Sequence, residues 1–283
     1  MSFEQVSSLV DLDRYPIHQT GSAAYHTAFE QIQNDLNQDG CAVLENFIRE
    51  DALPLIVDEA DKASVGAYRS FNRTNAYFSQ DDPSLPASHP KRRFYDRSNA
   101  FIPADYFGEE SLLRTLYEWA PLSAFLQSVL EEENFYPYGD PLADVIINQA
   151  EEGGGFPWHF DTNNFTVTLA LQNADEGGEF EYAPAIRTAA DENFDEVAGV
   201  LDGTSDKIKR LVLGPGDLQL FKGRYSLHRV APLKGQTKRY VGIFSYVEKP
   251  GMCGSVERTK QLYGRVLPIH YEREGLRADN LLD

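Results

Sequence analysis

Three side chains form a set that could hold a metal. His159 and Asp161 lie two residues apart in Phe156-Pro157-Trp158-His159-Phe160-Asp161, and His228 lies in Ser226-Leu227-His228-Arg229-Val230. Two imidazoles and one carboxylate can occupy one face of an octahedral Fe(II) and leave the remaining positions open. On an extended strand, side chains two apart share a face, so His159 and Asp161 can reach one ion while Phe160 points away. His228 must then arrive from a second strand. The spacing alone is a weak sign in a chain with 6 His and 44 Asp plus Glu, and His270-Tyr271-Glu272 repeats it. Context separates the two pairs. His159 and Asp161 follow the turn Gly153-Gly154-Gly155 and precede Phe165 to Leu171, an apolar, β-branched run that reads as a buried strand. His270 follows Pro268 in a polar C-terminal segment and reads as a surface residue.

A cation joins the set. Arg239 opens the strand pattern Arg239-Tyr240-Val241-Gly242-Ile243-Phe244-Ser245-Tyr246, shortly after His228. Facing inward, it would be costly unless it met an anion, and its planar fork suits a carboxylate; a dicarboxylate cosubstrate would satisfy it. Beside Lys238 it could equally be an edge residue turned to solvent.

These residues need a scaffold. Strand patterns separated by Gly and Pro turns, with few helices, fill residues 143 to 247 and predict a mainly β protein with flanking helices, its core a jelly-roll or cupin-like double-stranded β-helix. No linker-like run or internal repeat divides the chain, so residues 1–283 read as one domain. Residues 1–135 would be helical support and an active-site loop, 136–250 the β-helix core, and 251–283 a C-terminal segment. Helical spacing runs from Ala23 to Leu36, from Asp51, a possible cap, to Ala63, and from Glu109 to Glu132 with an interruption at Pro121. Gly66 to Phe107 carries prolines and many aromatics with little periodicity, and reads as an ordered loop able to cover a site. Its basic cluster, Lys91-Arg92-Arg93 with Arg97, also fits a surface ion-pair network. Thr188 to Lys209 reads as an insertion with one short amphipathic helix. The triple glycine lacks the Gly-Lys-Ser/Thr ending of a phosphate loop and follows two glutamates, so it reads as a turn.

The arrangement of His159, Asp161, His228 and Arg239 resembles the non-haem Fe(II)/2-oxoglutarate-dependent oxygenases: His-x-Asp, a distal His, and an Arg about ten residues later on a strand. Asp175-Glu176-Gly177-Gly178-Glu179-Phe180-Glu181-Tyr182 and Gly214-Pro215-Gly216-Asp217-Leu218-Gln219-Leu220-Phe221 are similar to segments of the branch containing the BesD-type amino-acid halogenases and their hydroxylating relatives. The likeness runs from about residue 35 to about residue 265. It implies Fe(II) held by His159, Asp161 and His228, 2-oxoglutarate gripped by Arg239, and O2 as second cosubstrate, yielding succinate and CO2 as a C–H bond is oxidised. It further implies a small-molecule substrate, an amino acid or derivative. Arg97 is then the candidate for the substrate carboxylate, with Ser245 and Tyr263 as further contacts. In the halogenases a small residue replaces the carboxylate ligand and chloride takes its position. Asp161 stands there in this chain, which favours hydroxylation. Desaturation and ring closure use the same iron site, and a cupin-fold isomerase or a metal-binding module without 2-oxoglutarate chemistry is the rival class.

Composition bounds the partners. A net charge of −18 argues against nucleic acid and anionic membranes. Two cysteines, Cys41 and Cys253, with no Cys-x-x-Cys pair, fit a reducing cytoplasm, and the start Met1-Ser2-Phe3-Glu4-Gln5 carries no signal-peptide pattern. No apolar run approaches the roughly 20 residues that span a bilayer.

Overall fold

A computed structural model describes residues 3–273. Helices α1 (Phe3–Ser7) and α2 (Ala23–Asp39) precede β1 (Cys41–Leu44), α3 (Leu53–Ala63), β2 (Tyr68–Thr74), β3 (Tyr95–Ile102), α4 (Leu112–Tyr117) and α5 (Ala120–Leu130). Then come β4 (Tyr136–Pro137), β5 (Val145–Ala150), β6 (Phe156–His159), β7 (Thr166–Gln172), β8 (Glu176–Gly177), β9 (Phe180–Ala183) and α6 (Phe194–Leu201). The chain continues through β10 (Lys209–Leu211), β11 (Leu218–Phe221), β12 (Leu227–Val230), β13 (Leu233–Lys234), β14 (Arg239–Phe244), β15 (Tyr246–Val247), α7 (Val256–Tyr263) and α8 (Pro268–Glu272).

Local chemistry sets the helix boundaries. Ser22 caps α2 by accepting from the Tyr25 amide at 3.0 Å, and Gly40, at φ 64°, ends it. Pro121 sits in the first turn of α5, where its missing N–H costs nothing, so the break in the apolar stripe is a new helix. Asp51 does not cap α3: Ala52 holds the cap position, and Asp51 pairs with Arg49 at 3.5 Å.

The strands form a seven-stranded sheet, β1-β11-β7-β14-β5-β3-β2, and a four-stranded sheet, β10-β9-β12-β6, the two walls of a jelly roll. Strand alternation sorts the large sheet into two faces. Val145 and Ile147, Val167 and Leu169, Leu218 and Leu220, and Tyr240 and Phe244 pack with Ile56, Leu113, Leu116 and Phe125 of the covering helices in one core. Their neighbours Ile146 and Ile243 point inward, where they meet Phe101, Phe156 and Tyr263. The small sheet is covered outside by Val197 and Val200 of α6, against Trp158, Phe160 and Leu227.

Two expectations change here. The β core does not begin at residue 136, because β1, β2 and β3 all join the large sheet, β3 pairing with β5 through Ile102↔Ile147. The stretch from Gly66 to Phe107 is therefore a β-hairpin carrying a long loop between its strands. Its alternation was hidden because Ser70, Thr74 and Arg97, all polar, occupy buried positions. No described helix is long and apolar enough to cross a membrane.

Candidate metal centre

Strands β6 and β12 are antiparallel neighbours in which His159 and His228 face each other directly, with a bulge between His228 and Val230. Paired positions put both side chains on one face, and the ring centroids stand 4.0 Å apart. Each imidazole is aimed by a carbonyl two residues upstream: His159 Nδ1 lies 2.9 Å from the Pro157 oxygen, and His228 Nδ1 lies 2.9 Å from the Ser226 oxygen. A carbonyl can only accept, so Nδ1 carries the proton and both Nε2 lone pairs face inward.

Asp161 lies just past the end of β6, where its amide donates to the Gly223 carbonyl at 3.1 Å. Its Oδ1 is 3.6 Å from His159 Nε2 and 3.3 Å from His228 Nε2. Adjacent ligands about 2.1 Å from one ion stand roughly 3 Å apart, so the carboxylate needs little movement to share a metal with both rings. Among the described residues this is the one group of three metal-binding side chains whose ligand atoms all lie within 4.8 Å. Thr166 donates to the other carboxylate oxygen, Oδ2, at 2.6 Å and so leaves Oδ1 for the ion.

The surroundings set the protonation states that a metal needs. Burial, then the neighbouring His228, holds His159 well below its ordinary pKa, keeping the ring neutral. Burial by itself would raise the Asp161 carboxyl, but His228, His159 and the Thr166 hydroxyl outweigh it and hold it below the usual carboxylate range. Phenylalanine rings wall the pair: Phe156 stacks on His159 at 4.0 Å, and Phe221 and Phe180 lie 4.8 and 5.6 Å from His228.

Arg239 is turned inward and is 6% exposed, which rules out the solvent-facing alternative. Tyr240 and Phe244 belong to the helix-facing core, so alternation along β14 sends Arg239 to the barrel interior. Burial pushes its pKa down to about 10, and among the described residues no carboxylate forms an ion pair with it. It lines a narrow cleft with Asn173, Gly178, Phe180 and Leu213. Phe180 borders both this cleft and His228, which places the cleft beside the triad.

The weaker candidates divide. Arg97 on β3 is 3% exposed, with its guanidinium carbon 4.0 Å from the centre of the Phe156 ring. Tyr263 is buried on α7 in the interior cluster against which Phe156 packs. Ser245 lies six positions along the chain from Arg239, and its described contacts are backbone ones: its carbonyl accepts from the Tyr117 hydroxyl at 2.7 Å and the Tyr138 amide at 3.2 Å. None of these contacts brings it against the triad. His270 is not a surface residue: it is 0% exposed, its Nε2 3.1 Å from both oxygens of Asp140. Two participants carried no sequence signal. Thr166 looked like any β-branched strand residue, and Gly223 turns out to be held to glycine, since a Cβ there would come 1.9 Å from Asp161 Oδ2.

Fold and site together define a jelly-roll protein with a candidate two-histidine, one-carboxylate metal centre. A family model described as Halogenase D matches residues 25–263, and the chain belongs to that family. Among solved structures it is similar to the epimerase SnoN in complex with Fe3+, alpha ketoglutarate and nogalamycin RO, at 13% identity over 90% of this chain and 94% of that one, TM-score 0.55. It is also similar to the carbocyclase SnoK from nogalamycin biosynthesis, at 11% identity over 84% and 92%, TM-score 0.54. AviO1 from Streptomyces viridochromogenes Tue57 aligns at 16% identity over 78% and 95%, TM-score 0.52. At such identities the likeness is one of fold. A comparison with curated sequences returned no match.

Proposed function

We propose that this protein is an Fe(II)/2-oxoglutarate-dependent dioxygenase that hydroxylates an unactivated C–H bond of a small free amino acid or a close derivative. The observation that carries the reading is the pairing of His159, Asp161 and His228 with Arg239, a buried cation whose ion-pair partner is not among the described residues. Both halves fit the implied groups. Two imidazoles and one carboxylate suit Fe(II), and a buried guanidinium beside them suits the far carboxylate of a dicarboxylic keto acid. The similar fold of SnoN binds iron and alpha ketoglutarate together, in keeping with this.

When bound, iron and 2-oxoglutarate supply an oxidative decarboxylation to succinate and CO2, coupled to oxidation of the substrate. The protein's own residues do the rest. Phe156, Phe180 and Phe221 keep water from the imidazoles, Thr166 holds Asp161 in position, and Arg97 receives the substrate carboxylate. Tyr263 would bound the substrate on the far side of Phe156, and Ser245 is the weakest of the substrate contacts. Halogenation is the second reading, favoured by the family to which the chain belongs. Asp161 favours hydroxylation, because its carboxylate takes the place a halide would need and the Gly223 backbone is pressed against it.

The test is an anaerobic titration with Fe(II) and 2-oxoglutarate, followed by oxygen, a panel of amino acids and a succinate assay. A visible charge-transfer band with substrate-stimulated succinate is expected. Asp161→Ala should lose iron binding and turnover, whereas Arg239→Ala should keep iron and raise the 2-oxoglutarate requirement at least tenfold, about 1.4 kcal/mol or more. Normal turnover in the first variant, or an unchanged 2-oxoglutarate response in the second, would refute the corresponding assignment.

A further inference from the structure

Arg239 has a long stem with many rotamers, and it is buried where no carboxylate among the described residues pairs with it. Something other than an ion pair must therefore hold it in place. One constraint comes from β7, where the Gln172 side chain donates from Nε2 to the Lys238 carbonyl at 2.9 Å and fixes the residue just before Arg239. A second comes from the segment that leads into β9. Gly178, at φ 76°, approaches so closely that a Cβ there would stand 3.2 Å from Arg239 Cδ and 3.5 Å from Nε. The glycine forms one wall for the arginine stem.

An exposed carboxylate ties these two stretches together. Asp175 Oδ2 accepts from the Gln236 and Thr237 amides at 2.7 and 3.1 Å, and its Oδ1 accepts from the Thr237 hydroxyl at 2.6 Å. The two sides of this tie are 61 and 62 positions apart in the chain. Gly235, at φ 98°, makes room for it, since a Cβ there would come 2.1 Å from Asp175 Oδ2. Between the tie and the barrel, β8 and β13 pair through Leu233↔Gly177, so the segments run side by side. An ordinary loop tie would serve folding alone. This one ends at the arginine on both sides: Gly178 follows Asp175 by three residues, and Arg239 follows Thr237 by two.

We propose that Asp175 and Gly178 are positioning residues for Arg239, setting its guanidinium in place before 2-oxoglutarate binds. This deepens the proposed function and rests on it. A cation already held in its binding geometry spares the cosubstrate the entropy of ordering a flexible side chain, and affinity rises by that amount. Neither residue touches the cosubstrate in this account. Asp175 acts from the protein surface, through the turn 235–237, and Gly178 acts through direct contact with the arginine stem.

The test is titration of the full-length Fe(II)-loaded protein without oxygen, first with 2-oxoglutarate and then with pyruvate, which has the same keto acid end and no far carboxylate. Binding is read by calorimetry and by the visible band, with Fe(II) affinity and melting temperature measured on each variant. Asp175→Ala and Gly178→Ala should each weaken 2-oxoglutarate at least fivefold, while Fe(II) affinity and pyruvate binding change less than twofold. Asp175→Asn, which keeps an acceptor for the two amides, should recover part of the loss. Gly203→Ala supplies the control for backbone strain, because Gly203 has φ 68° with nothing within 4 Å of its Cβ position, and it should leave 2-oxoglutarate binding unchanged. A merely structural role would weaken iron, pyruvate and 2-oxoglutarate alike. Unchanged 2-oxoglutarate affinity in Asp175→Ala or in Gly178→Ala, an equal loss for pyruvate, or the same loss in Gly203→Ala would overturn the assignment. Absence of the band in iron-loaded wild-type protein would instead overturn the oxygenase reading.

Discussion

Asp161 is held from three sides, and each constraint makes a separate demand on sequence. Its amide is fixed to Gly223, one carboxylate oxygen is taken by Thr166, and the other is left near both imidazoles. Gly223 has no room for a side chain, so Gly223→Ala must push the carboxylate out of line. The expected outcome is a folded protein whose Fe(II) affinity falls at least tenfold, a shift of about 1.4 kcal/mol or more, measured by metal titration with circular dichroism as the folding control. Unchanged affinity would mean that Asp161 does not need its present position. The triad was legible because metal binding restricts both residue type and spacing. The groups that aim it were not: a carbonyl, a hydroxyl and a missing Cβ leave no pattern in the order of residues.

At the scale of elements, α8 is joined to the barrel by the buried pair His270 and Asp140. Asp140 also accepts from the Leu142 amide at 2.8 Å and the Gly254 amide at 2.9 Å, so one carboxylate joins the loop before β5, the segment before α7 and α8. A hydrogen bond to a charged group contributes about 1.5–3 kcal/mol, and His270→Ala should lower unfolding stability by that order in urea while leaving iron affinity unchanged. Its burial was not legible, since the partner lies 130 positions away. Glu181 on β9 makes a second junction, accepting from Arg210 of β10 and Arg229 of β12. Burial alone would raise its pKa, but the two arginines outweigh it and hold it below the ordinary 4.5. A carboxyl depressed in the folded state stabilises fully above its unfolded value and loses that contribution as pH falls through the folded one. Wild type should therefore lose more stability than Glu181→Gln between roughly pH 5 and 3, measured by denaturation at each pH. An equal loss in both proteins would remove Glu181 from the account. The jelly roll itself was readable from turns and apolar runs, whereas the β2–β3 hairpin was not, because its buried face is polar.

Across the whole molecule, a charge of −18 means that folding gathers repelling carboxylates onto one surface. Salt screens exposed charges over about 10 Å at 0.1 M, so raising NaCl from low to about 0.5 M should raise the melting temperature by a few degrees. A flat response would show that the surface charges are already balanced by local ion pairs. The sheet order carries a different consequence, for the time at which the protein can exist at all. β14 is the middle strand of the large sheet, between β7 and β5, yet it is the last of the seven to be made. Until residue 244 has been made, β5 and β7 each have an edge with no partner, and β5 is buried at every position in the finished protein. A growing chain thus presents two apolar strands held apart by a gap that only its own later sequence fills. Such non-local closure is slow and open to wrong pairing, so the core of this protein is completed only after β14 has been synthesised.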